Sequence, residues 1–166
     1  MPKPHIISVV GKSNSGKTTL IGKLIKEIKK RGYKIGIIKH SLHGFDMDKS
    51  GKDSFRHAAA GADTVMAASP FRIGIIKRVT SDNPDELEKY FQDVDIVITE
   101  GYKKAGKPKI EIFRQAIHSE PLCIKDNTLF AFVTDSDIEV NIPKFKTSEI
   151  EKIAGLIEEL FLKKRL

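Results

Sequence analysis

Near the start of the chain, Gly11-Lys12-Ser13-Asn14-Ser15-Gly16-Lys17-Thr18 has the residue types and spacing of a phosphate-binding loop, G-x-x-x-x-G-K-[ST]. The backbone N–H groups of such a loop converge on phosphate oxygens, and the helix that follows adds roughly half a positive charge at its N-terminus. Gly11 and Gly16 permit backbone angles and close approaches that a Cβ would obstruct. Lys17 is placed to reach the β- and γ-phosphates, and Thr18 to offer its hydroxyl to Mg²⁺. The nucleotide-binding candidates are therefore Gly11, Lys12, Ser13, Asn14, Ser15, Gly16, Lys17, Thr18 and the adjoining Thr19. The loop points to a nucleoside triphosphate and leaves the base open.

A second stretch, Asp95-Ile96-Val97-Ile98-Thr99-Glu100-Gly101, is an apolar strand that ends in an acid. Such a strand carries a carboxylate to the sheet edge where the phosphates lie, and the acid holds Mg²⁺ directly or through water. Glu100, at the C-terminal end, is the metal candidate and joins Lys17 as a catalytic candidate. Asp95, at the opposite end, reads as a turn or cap residue. Asp46 or Asp48, in the polar loop from Lys39 to Asp48, offers a further metal ligand, and Asp48 is carried forward as the candidate; His40 or His43 offers a phosphate contact. The same aspartates would also serve in local turns. Asp135 follows another strand on the ligand side. It could accept hydrogen bonds from guanine N1–H and the 2-amino group, or simply form a turn. Asn-Lys-x-Asp, the usual guanine-reading motif of small GTPases, does not occur.

The elements that must position these groups are legible from hydrophobic period. His5 to Val10 reads as a buried strand, and Leu20, Ile21, Leu24, Ile25 and Ile28 form a helical stripe directly after the loop. Gly32 stops that helix, and Ile35 to Lys39 is a second strand, which completes a βαβ unit. A short helix from Ser54 to Ala60, strands at 64–68 and 71–79, and a helix from Asp85 to Phe91 capped by Asn83-Pro84 follow. Lys52 and Arg56 share a helix face that could meet phosphate or solvent. Ile73, Ile75 and Ile76 lie on an edge-type strand where a second subunit could pair. Further strands run from Lys109 to Arg114 and from Thr128 to Val133; Lys109 and Arg114 could face an anionic ligand or solvent. Thr147 reads as the cap of a last helix. The pattern predicts an α/β protein of P-loop NTPase type, with a mostly parallel twisted sheet, helices on both faces and a single domain over 1–166.

The chain has 166 residues and a formal net charge of +7. Its excess lysine and arginine read as solvated helix faces and tails. Aromatics do not interleave with them as a single-strand binder needs, so no nucleic-acid partner is expected. The single cysteine, Cys123, allows no internal disulfide and has no visible activating neighbour. The N-terminus lacks an apolar leader and no apolar run reaches membrane-spanning length, so a cytoplasmic protein without a membrane partner is expected.

Taken together, the loop from Val9 to Thr19, Lys39-His40, Gly51-Lys52-Asp53-Ser54 with Arg56 and Gly61-Ala62, and Thr99-Glu100-Gly101-Tyr102-Lys103 resemble the MobB family of molybdopterin-guanine dinucleotide biosynthesis adaptors. The resemblance covers nearly the whole chain. Leu42, Gly44 and Phe45 stand where family members often carry more histidine. The resemblance implies a homodimer that binds GTP with Mg²⁺ and hydrolyses it weakly. It also implies a partner, the molybdopterin guanylyltransferase that joins GMP to the pterin, which the adaptor assists without replacing. The other reading is a small-molecule kinase using ATP or GTP. Slow turnover is the physical expectation for the adaptor. No arginine or glutamine for the γ-phosphate is identifiable, and an arginine finger alone is worth roughly 10³–10⁵ in rate.

Overall fold

The computed structural model describes residues 3–41, 44–45 and 48–163. These form two compact units, one of residues 1–40 with 83–166 and one of residues 41–82. The sequence reads as one unbroken domain because no linker composition marks either crossing.

The larger unit is built on six strands: β1 (His5–Val10), β2 (Ile35–Lys39), β5 (Ile96–Glu100), β6 (Lys109–Ile112), β7 (Leu129–Val133) and β8 (Lys144–Phe145). Their order is β2-β5-β1-β6-β7-β8. Every pairing is parallel, so the C-terminal ends of all the strands lie along one edge. Side chains alternate across the sheet. On one face Ile7, Val9, Ile96, Ile98, Ile110, Ile112, Ala131 and Val133 pack with helix α1 (Lys17–Lys30) and helix α4 (Ile150–Ile157). Leu20, Ile21, Leu24 and Ile28 of α1, and Ile153, Ala154 and Ile157 of α4, are the buried stripes that the 3.6-residue period predicts.

The opposite face is covered in two patches. Ile6, Ile38 and Val97 pack against Leu87, Phe91 and Val94, which belong to α3 (Pro84–Leu87) and the residues that follow it. Val10, Phe113, Leu129 and Phe132 pack with Cys123, Ile138, Val140 and Ile142. Helix α1 ends as its glycine predicts: Gly32, at φ 90°, donates to Lys29 O and Tyr33 donates to Ile28 O. Helix α3 begins as predicted, with Asn83 Oδ1 accepting the Asp85 N–H and Pro84 at the first position.

One expectation fails and one element goes unpredicted. The two-residue β8 is too short to show alternation. Thr147 is not the cap of α4, which Glu149 opens. The Thr147 hydroxyl and N–H are instead bound to the Asp135 carboxylate, at 2.7 and 3.1 Å.

The smaller unit contains α2 (Asp53–Ala59) and the antiparallel hairpin of β3 (Thr64–Ser69) and β4 (Arg72–Lys77). Pairing runs from Thr64–Lys77 to Ser69–Arg72. The hairpin is a two-stranded sheet of its own, and β4 is exposed along its whole length.

Candidate functional site

The loop between β1 and α1 is shaped by its two glycines. A Cβ on Gly11 would lie 2.5 Å from the Ile112 carbonyl oxygen of β6 and 2.6 Å from Ser15 Oγ, so only glycine lets β1 turn there. Gly16 has φ 101°, and Asn14 takes the left-handed conformation at φ 61°. The N-terminus of α1 has neither a side-chain cap nor an acidic residue in its first turn. Its N–H dipoles are thus left to an external anion. The Lys17 ammonium folds back onto the Gly11 and Lys12 carbonyl oxygens, at 3.0 and 2.9 Å. Burial lowers its pKa, while the Glu100 carboxylate acts the other way. Ser15 Oγ is buried without a hydrogen-bond partner among the described residues.

Glu100 reaches this loop through strand register. It stands opposite Val9 of β1 on one side and Lys39 of β2 on the other. Its Oε1 accepts the Thr18 hydroxyl at 2.7 Å, across 82 residues of sequence. Two hard oxygen donors therefore meet beside the loop. No cluster of three His, Cys, Asp or Glu able to hold a metal occurs among the described residues. That donor set fits Mg²⁺, which keeps several waters and takes most of its remaining ligands from phosphate oxygens. Next to Glu100 the chain turns sharply. Gly101 has φ 101°, Tyr102 has φ 55°, and the Tyr102 ring stacks on His40 with centroids 4.2 Å apart.

A cavity of about 230 Å³ adjoins the helix end of the loop. Gly16, Thr19 and Lys23 line it from α1, and Arg114 and Asp135 from the ends of β6 and β7. The topology thus brings Asp135 to the cavity beside the loop. The Thr147 hydroxyl and N–H hold the Asp135 carboxyl below its usual pKa, so it remains an acceptor.

A family model described as molybdopterin guanine dinucleotide synthesis protein B matches residues 6–135. The chain belongs to the MobB family. It is 35% identical over 156 residues to the molybdopterin-guanine dinucleotide biosynthesis adapter protein of Haemophilus influenzae, covering 92% of this chain and 87% of that protein. The adapter protein of Escherichia coli K12 is 32% identical, with 89% and 87% covered. A crystal structure of molybdopterin-guanine biosynthesis protein B superposes with a TM-score of 0.75 at 33% identity, covering 93% of this chain and 99% of that one.

In this MobB-family chain the other predicted residues are placed as follows. Asp48 belongs to the smaller unit, where Oδ1 accepts the Lys49 N–H at 2.9 Å and Oδ2 has no partner among the described residues. Asp46 and His43 lie outside the described residues. Asp95 is a turn residue, as expected, accepting the Lys34 N–H at 2.7 Å. Lys109 does not face a ligand. It is 1% exposed, with its ammonium 3.0 Å from Asp126 and also bound to the Thr128 hydroxyl. Its strand is buried on both faces, so the alternation that suggested an outward lysine does not apply. Burial raises the Cys123 thiol pKa, which is the opposite of activation. One neighbour of the loop escaped sequence reasoning: His118 Nε2 lies 2.8 Å from the Ser13 carbonyl oxygen, 105 residues away. A lone histidine in a polar connection carries no pattern that points to it.

Proposed function

We propose that this chain is a GTP-binding adaptor with weak GTPase activity, which assists attachment of GMP to molybdopterin by the pathway's guanylyltransferase. The single observation that carries the nucleotide reading is the 2.7 Å meeting of Thr18 and Glu100 beside a loop whose lysine donates to loop carbonyls. On binding, the Lys17 ammonium would exchange those carbonyls for phosphate oxygens. Thr18 and Glu100 would hold Mg²⁺, which neutralises charge on the β- and γ-phosphates. Asp135 would read guanine from the far wall of the cavity, since each of its oxygens keeps a lone pair free of Thr147. Water would displace GDP from the γ-phosphorus, slowly, because no arginine finger or water-positioning glutamine is identifiable in the sequence.

A homodimer is part of the same reading. The hairpin exposes Met66, Phe71, Ile73, Ile75 and Val79, with Phe71 97% and Ile73 61% exposed. An exposed apolar hairpin of this kind would serve for subunit association.

The test is competition binding of GTP and ATP with and without Mg²⁺, followed by addition of the guanylyltransferase. Preference for GTP that weakens without metal, and faster dinucleotide formation with the adaptor present, are expected. Equal or tighter ATP binding, with ADP release on adding a small acceptor, would replace this reading by a kinase.

A further inference from the structure

We propose that His118 is a positioning residue of the phosphate-binding loop, a role that rests on the nucleotide reading above. His118 lies in the connection from β6 to β7, which is fixed at both ends. Where it begins, the N–H groups of Ile117 and His118 both donate to Arg114 O, at 3.2 and 3.1 Å, forming a tight turn. Further on, the N–H groups of Leu122 and Cys123 donate to the carboxylate of Glu111, which is 1% exposed on β6. The turn sets the imidazole 2.8 Å from Ser13 O. A carbonyl only accepts, so Nε2 carries the hydrogen.

That bond fixes a peptide plane. No cis peptide occurs among the described residues, so the Asn14 N–H points away from the Ser13 carbonyl to which it is joined. Holding Ser13 O on His118 therefore turns the Asn14 N–H to the opposite side. Asn14 itself sits at φ 61°, a left-handed conformation that asparagine tolerates better than most side chains. Three successive loop carbonyls are thus tied down: Gly11 and Lys12 by the Lys17 ammonium, and Ser13 by His118. When a triphosphate draws Lys17 off its carbonyls, the His118 bond remains as the fixed point that keeps the Asn14 N–H aimed at the anion.

The experiment compares the full chain with H118A, H118Q and H118F for binding of GTP with Mg²⁺, GDP and guanosine. Loss of one charge-facing hydrogen bond predicts H118A and H118F to bind GTP and GDP about 5- to 30-fold more weakly. Guanosine binding and the melting midpoint should stay unchanged, because the lost contact orders only the phosphate loop. H118Q keeps an N–H donor and should recover most of the affinity. Unchanged GTP affinity in folded H118A and H118F would overturn the role, as would H118Q as weak as H118A. Equal losses for guanosine and GTP would also overturn it, by showing a general structural effect. A wild-type chain that binds no nucleotide would remove the nucleotide reading itself, and this role with it.

Discussion

The Lys17 ammonium donates to two carbonyls of its own loop, so its replacement removes hydrogen bonds within the loop and leaves the apolar core intact. Lys17→Ala should therefore unfold at the wild-type denaturant midpoint yet lose measurable GTP binding in an equilibrium titration; retained affinity would refute its phosphate role. Glu100→Gln keeps an acceptor for the Thr18 hydroxyl but loses the charge that a divalent cation needs. It should abolish most of the Mg²⁺-dependent gain in GTP affinity, about tenfold or more, while leaving metal-free binding close to wild type. The pair of Lys109 and Asp126 belongs to stability instead. Asp126 has its pKa held down to about 2 by the Thr128 hydroxyl and N–H and by the Lys109 ammonium. A carboxyl depressed in the folded state stabilises above its unfolded pKa near 3.8, and that contribution fades as pH falls from there toward 2. Asp126→Ala removes the carboxylate beside a buried ammonium and should cost about 1–3 kcal/mol at pH 7 by urea unfolding. The difference between wild type and Asp126→Ala should narrow in the acid window.

The longer strands of the main sheet and α1 were legible because each is rich in buried apolar residues, while Asn83-Pro84 marks the start of α3 and Gly32 the end of α1. What escaped reading depends on partners remote in sequence. Thr147 has the composition of a cap, but the carboxylate that takes its hydroxyl comes from Asp135, across the end of β7. Lys109 looks like an exposed strand charge until β1 and β7 close on both sides of it. Gly36 gives no local hint either, yet a Cβ there would lie 2.4 Å from Phe91 Cδ1 and 2.8 Å from Cε1. Gly36→Ala should push Phe91 away from β2 and lower stability by about 1–3 kcal/mol, read as a shifted urea midpoint with an unchanged slope.

At the scale of the molecule, the smaller unit buries little and leaves Ile73, Ile75 and Ile76 exposed, the surface on which the proposed homodimer rests. Ile75→Lys on the hairpin should weaken self-association in sedimentation equilibrium while GTP binding by the larger unit stays intact; an unchanged association constant would exclude β4 from the interface. The sequence revealed the motif of the nucleotide loop but not what encloses it, because the enclosing groups are distributed along the chain. Gly11 is seated against Ile112, Thr18 against Glu100 and Ser13 against His118. This spacing has a consequence for biosynthesis. A nascent chain emerging from the ribosome displays the full phosphate motif after its first twenty residues, yet the contacts that shape it arrive only after β6 and the connection beyond it have been made. On the proposed nucleotide reading, the growing polypeptide would gain its affinity for the ligand only as the sheet closes.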